Sequence, residues 1–197
     1  MANFMDKFTN VLEEKLMPVA AKIANQRHLS AIKDGIIITV PFIIVGSIFL
    51  ILANLPIPAL VDFYKNNEVG QVIQRWLSYP VGVTFDMIAI ITCLGIAYRL
   101  SEGYKLDGIS GAILGLISFL LVTPFVINFK HEQYGELTAS GIPTGLTGSA
   151  GLFVAIIMAI LSTEIFNFVV KKNMVIKMPD MVPPAVSKSF AALIPGF

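Results

Sequence analysis

The stretch from Gly35 to Leu55, GIIITVPFIIVGSIFLILANL, holds no charged residue in 21 positions. Wound as a helix at 1.5 Å per residue it is about 31 Å long, the thickness of a bilayer's hydrocarbon core. In water so long an apolar run has no face to offer the solvent, so the chain is read as one whose solvent is lipid.

Three more apolar blocks follow. Val81 to Leu100 is interrupted by Asp86 and closed by Arg99, Gly108 to Ile127 carries no charge, and Ala150 to Val170 holds Glu164. Pro183 to Phe197 begins a fifth block, too short to cross. The expected fold is an all-α membrane protein. It is a polytopic helical bundle of four complete transmembrane helices plus a truncated fifth, preceded by an amphipathic amino-terminal helix. Composition agrees: charged residues are 14% of the 197 and hydrophobic ones 55%, whereas soluble domains carry about 25% charge. A net charge of +1 gives no electrostatic case for nucleic acid, and Cys93 alone cannot form an internal disulfide. The first apolar run follows 34 mixed residues and exceeds a signal-peptide core, so no cleaved leader is expected.

Orientation follows from the basic residues between blocks. Lys7, Lys15, Lys22, Arg27, Lys33, Arg99, Lys105, Lys171, Lys172, Lys177 and Lys188 fall on one side, and Lys65, Arg75 and Lys130 on the other. Eleven against three places the amino terminus in the cytoplasm. Residues 1–33 are then a cytoplasmic amphipathic segment, with Phe4, Phe8, Val11, Leu12, Leu16, Val19 and Ile23 at helical spacing and a break expected at Pro18. It either lies flat at the interface or packs against the bundle or a neighbouring subunit. Val69, Val72, Ile73, Trp76 and Leu77 predict a short external helix before Pro80, with Trp76 and Tyr79 suited to headgroup level.

Small residues mark where helices touch. Gly111 and Gly115 form a GxxxG pair, Gly151, Ala155, Ala159 and Thr163 recur every four residues, and Ala89, Cys93 and Ala97 do the same in the second block. Lipid gives no hydrophobic drive between helices, so close backbone approach must hold them, within one chain or between chains. Two acids lie inside blocks and are the candidate substrate contacts. Asp86, on the face of Ala89 and Cys93, is either part of a polar path or the partner of a hydroxyl such as Thr84. Glu164, six residues from the cytoplasmic exit, is either a transport carboxylate or a group that meets cytoplasmic lysines and water. Pro41 and Pro124 read as kinks or helix-end features. No phosphate-binding glycine loop, metal-ligand spacing or catalytic triad is visible, and His28 and His131 fall on opposite sides. No cofactor, metal or catalytic role is expected.

Four segments carry a resemblance. They are KLMPVAAKIANQRHLSAIKDGIIITVPFIIVGSIFLILANLP (Lys15 to Pro56), SEGYKLDGISGAILGLISFLLVTP (Ser101 to Pro124), GSAGLFVAIIMAILSTEIF (Gly148 to Phe166) and IKMPDMVPPAVSKSFAALIPGF (Ile176 to Phe197). In this order they resemble the IIC permease component of the phosphoenolpyruvate-dependent sugar phosphotransferase system (PTS), lactose/cellobiose/diacetylchitobiose branch. The resemblance implies a homodimeric permease of the bacterial inner membrane. It would take up a β-linked disaccharide for phosphorylation by way of cytoplasmic IIA and IIB. Family chains are longer, so residues 34–197 are expected to be the amino-terminal scaffold and dimerisation domain, with the sugar-binding residues beyond Phe197. Two alternatives stand beside it: a stand-alone small dimeric membrane protein, and a small proton-coupled exporter using Glu164.

Overall fold

A computed structural model describes residues 17–131, 135–176 and 181–196. The apolar positions expected to form an amphipathic face before Met17 lie outside the described residues. The helices are α1 (Met17–Ala24), α2 (Arg27–Ile37), α3 (Val40–Ala53), α4 (Pro58–Asn66), α5 (Glu68–Phe85), α6 (Ile88–Gly103), α7 (Gly108–Leu121), the single turn α8 (Thr144–Thr147), α9 (Leu152–Lys171) and α10 (Pro184–Ala191). Strands β1 (Val126–His131) and β2 (Gly135–Ser140) form an antiparallel hairpin between α7 and α8.

Among the described residues, three continuous helical rods are long and apolar enough to cross a membrane: Arg27–Ala53, Glu68–Gly103 and Ser149–Lys171. The first joins α2 to α3 through Ile38 and Thr39, and Pro41 sits in the first turn of α3, where a missing N–H removes no helical bond. It also runs through the expected boundary at residue 33. The second joins α5 to α6 at Asp86 and Met87. It carries Pro80 inside α5, so the expected external helix and the second block are one rod, preceded by an extra helix, α4. Asn67 starts that rod by accepting hydrogen bonds from the Val69 and Gly70 amides at 2.9 and 3.4 Å.

The third block departs from expectation. Helix α7 stops at Leu121 after 14 residues, about 21 Å, and Val126 and Ile127 belong to a strand. The cause is local. Pro124 disfavours helical backbone at Thr123, and the Thr123 hydroxyl turns back to the Phe119 carbonyl at 2.8 Å. α10 covers eight residues of the expected fifth block.

The core lies where α6 meets α2, α7 and α9. Ala89, Cys93, Ile96, Ala97, Phe119, Ala155 and Ala159 are buried there. α2 packs on α6 through two glycines: a Cβ on Gly35 would lie 2.5 Å from the Ile96 nitrogen, and one on Gly95 would lie 2.8 Å from the Gly35 carbonyl oxygen. α3, α4 and α5 pack on one another, and Gln74 and Tyr64 donate to the last carbonyls of α3, at Ala53 (3.0 Å) and Leu52 (3.3 Å). The outer faces of α3 and α5 expose Phe42, Ile44, Ile48, Ile51, Trp76 and Val83.

Candidate functional site

One end of the bundle gathers polar and charged side chains from three helix ends. Arg27 and His28 open α2. Tyr104 caps α6, and the chain turns there in a Schellman motif. Lys105 takes a left-handed conformation (φ 61), its N–H donates to the Glu102 carbonyl at 2.9 Å, and the Leu106 N–H donates to that of Ser101 at 2.9 Å. Glu164 and Lys171 lie on the last turns of α9. The same motif ends α9, with Asn173 left-handed (φ 59) and the Met174 N–H bonded to the Val169 carbonyl at 3.1 Å.

These three helix ends converge on one carboxylate oxygen. His28 Nε2 lies 2.8 Å from Glu164 Oε1, and the Tyr104 hydroxyl donates to the same oxygen. The Arg27 guanidinium carbon stands 4.4 Å from the centre of the Tyr104 ring and Lys171 Nζ stands 5.5 Å from it, both within cation–π reach. Burial, and then the hydrogen bond to Glu164, raise the Tyr104 phenol above its ordinary 10.0. The phenol therefore keeps its proton and stays a donor. Because a carboxylate only accepts, His28 meets it with a protonated Nε2. Glu164 and His28 are 38% and 35% exposed, so water reaches the cluster. It can hold a negative charge in place and tie three helices together.

The sequence leaves Glu164 as either a transport carboxylate or a group that meets cytoplasmic lysines and water. Its partners are His28 and Tyr104, with Lys171 beside the ring. The missed signal was topological, since an even number of crossings brings residues 27–28, 104 and 164–171 to one side. Asp86 stands apart from this cluster. It is exposed at the break between α5 and α6, and its backbone carbonyl accepts from the Thr147 hydroxyl at 2.6 Å. Thr84, the hydroxyl partner in one of its two alternative roles, donates to the Pro80 and Val81 carbonyls. The small residues are filled from within the chain. A Cβ on Gly111 would meet Ser101, one on Gly115 would meet Ala97 at 2.7 Å, and Gly151, Ala155 and Ala159 are buried, with Gly151 facing Leu146 and Ala89. Among the described residues no group of three or more His, Cys, Asp or Glu side chains could hold a metal ion.

Comparison with known proteins gives this architecture a context. Residues 33–197 match the family model described as "Phosphotransferase system, EIIC". The chain is 54% identical over 195 residues to the putative permease IIC component YwbA of Bacillus subtilis, covering 98% of the chain and 44% of that relative. It is 50% identical to the cellobiose-specific EIIC component of Geobacillus stearothermophilus, covering 98% of the chain and 43% of the relative. The crystal structure of the transporter ChbC, the IIC component of an N,N'-diacetylchitobiose-specific phosphotransferase system, superposes with a TM-score of 0.85 at 51% identity. That match covers 94% of this chain and 43% of the transporter. The chain thus spans less than half the length of the relatives it matches.

Proposed function

The chain belongs to the phosphotransferase-system EIIC family, and from that premise we propose that it is the amino-terminal scaffold of a sugar permease of the bacterial inner membrane. The cargo is a β-linked disaccharide such as cellobiose or diacetylchitobiose, delivered for phosphorylation with IIB and IIA as cytoplasmic partners. The observation that carries this reading is the superposition on the diacetylchitobiose transporter over 94% of the chain at 51% identity. The cellobiose name of a half-identical relative supports the same substrate class.

Within that permease the described residues supply rigidity. Three helix ends are tied at Glu164, and α2 and α7 close on α6 through Gly35, Gly95, Gly111 and Gly115. A site for a polar sugar near the midplane needs a second structural unit, so the sugar contacts are assigned to the part of the relatives that this chain does not span. The basic cluster at Arg27, Arg99, Lys105 and Lys171 is assigned to the cytoplasmic side by the positive-inside rule, which sets the amino terminus there as well. Homodimerisation is proposed through the outer faces, because Gly111, Gly115 and Gly151 are occupied within the chain.

The test is uptake by right-side-out vesicles loaded with the cytoplasmic components. The chain is fused at Phe197 to the remaining length of the Geobacillus cellobiose relative and supplied with phosphoenolpyruvate, the general phosphoryl-carrier proteins that charge IIA, and IIA and IIB. Accumulation of labelled cellobiose as its phosphate, lost when IIB is omitted, is expected. Uptake independent of IIB and phosphoenolpyruvate would overturn the assignment.

A further inference from the structure

We infer that the β1–β2 hairpin is a membrane-interface anchor whose apolar face lies on the acyl-chain boundary of the lipid leaflet. The register pairs Ile127 with Ala139 and Phe129 with Leu137, and it pairs Asn128 with Thr138 and Lys130 with Glu136. Opposed residues of an antiparallel pair point to the same face. One face is therefore Ile127, Phe129, Leu137 and Ala139, with His131 at its end. The other is Asn128, Lys130, Glu136 and Thr138, flanked by Val126 and Ser140. Lys130 and Glu136 meet across the polar face at 3.9 Å, each more than four-fifths exposed. Ile127 and Phe129 are 38% and 44% exposed. Leu137 beside them is half-buried. A two-stranded hairpin with a largely exposed apolar face is marginal in water, so this one requires a cover.

Lipid is the cover that the chain's geometry favours. Helix α7 has 14 residues, about 21 Å against a core of about 30 Å. Val122 carries helical backbone on for one more residue (φ −91, ψ −3) and Thr123 turns back on Phe119, so only Pro124 and Phe125 are free to extend, adding about 7 Å. A chain entering the core near Asp107 then nears the far boundary where the hairpin begins. Exposed apolar side chains recur along that path at Leu121 (82% exposed), Val122, Phe125 and Ile127. Unpaired strand edges are not tolerated inside hydrocarbon. The interface is the depth at which the apolar face can be buried while both edges still find water. Exposed phenylalanines at the boundary, Phe125 and Phe129, fit that placement.

The inference rests on the reading of the chain as a membrane protein, and Trp76 separates the two. It is the single tryptophan of the chain and is 66% exposed on α5. The chain is placed in nanodiscs of phosphatidylcholine brominated near the top of the acyl chain, and fluorescence is compared with unbrominated discs. Trp76 in the native chain reports the bilayer; W76F/F129W and W76F/L137W report the apolar face; W76F/T138W reports the polar face. Bromolipid is expected to quench positions 129 and 137 at least two-fold more than position 138, with aqueous iodide giving the reverse order. Quenched Trp76 together with positions 129 and 137 untouched by bromolipid overturns the anchor alone, whether iodide reaches them or protein covers them. Unquenched Trp76 overturns the bilayer placement itself.

Discussion

At Gly35 the backbones of α2 and α6 leave no room for a side chain: a Cβ there would lie 2.5 Å from the Ile96 nitrogen and 2.7 Å from its Cα. Backbone cannot step aside as a flexible side chain can. Gly35→Leu is therefore expected to push α2 off α6 and to destabilise the chain by about 1–3 kcal/mol, read as a lower unfolding midpoint in detergent; an unchanged midpoint would mean that the two helices do not pack as described. The polar cluster makes a second prediction. His28 and Tyr104 share Glu164 Oε1, so the cost of His28→Ala should shrink when Glu164→Gln is already present. Because both His28 and Glu164 are more than a third exposed, water screens the pair and the coupling is expected to be about 1 kcal/mol or less. The Tyr104 phenol is held above its unfolded value of 10.0. Its contribution is fully present below pH 10 and is lost as pH rises through the folded value. Tyr104→Phe should flatten that alkaline loss and leave the acid side of the profile alone. Of this cluster only Glu164 stood out in the sequence, because a lone acid in an apolar block is conspicuous, whereas His28 and Tyr104 lie outside the blocks.

Helix ends show where local chemistry decides an element. Lys105 occupies the left-handed position of a Schellman motif that usually belongs to glycine, a conformation that strains a residue with a Cβ. Lys105→Gly is expected to stabilise the chain by about 1 kcal/mol without altering the end of α6, as checked by thermal unfolding; a loss of stability would mean that the lysine side chain contributes more than its backbone strain costs. Element types in the apolar blocks were legible because a charge-free run at membrane length has few alternatives. Their ends were less so. Pro80 reads as a boundary, yet α5 runs through it. Pro124 does act as one, because Thr123 before it turns its hydroxyl back to Phe119. The hairpin went unread because Val126 and Ile127 close an apolar block. The alternation of Ile127 and Phe129 with Asn128 and Lys130, matched by Leu137 and Ala139 against Glu136 and Thr138, was its signal.

For the whole molecule, the proposed division of labour is a scaffold closed on itself, with the sugar contacts in the part of the relatives that this chain does not span. Class, order of blocks and family were readable from hydropathy and from four resembling segments. Which polar groups meet across the bundle was not, since that depends on how α2, α6 and α9 are registered, and register between spans leaves no trace in composition. The most direct test is equilibrium binding of radiolabelled cellobiose and diacetylchitobiose to the purified 197-residue chain, beside the same chain extended to the full length of its relatives. The account predicts saturable binding by the extended chain and none by the 197 residues alone. Saturable binding by the 197 residues, abolished by Asp86→Asn or Glu164→Gln, would contradict it and place the sugar site within the scaffold.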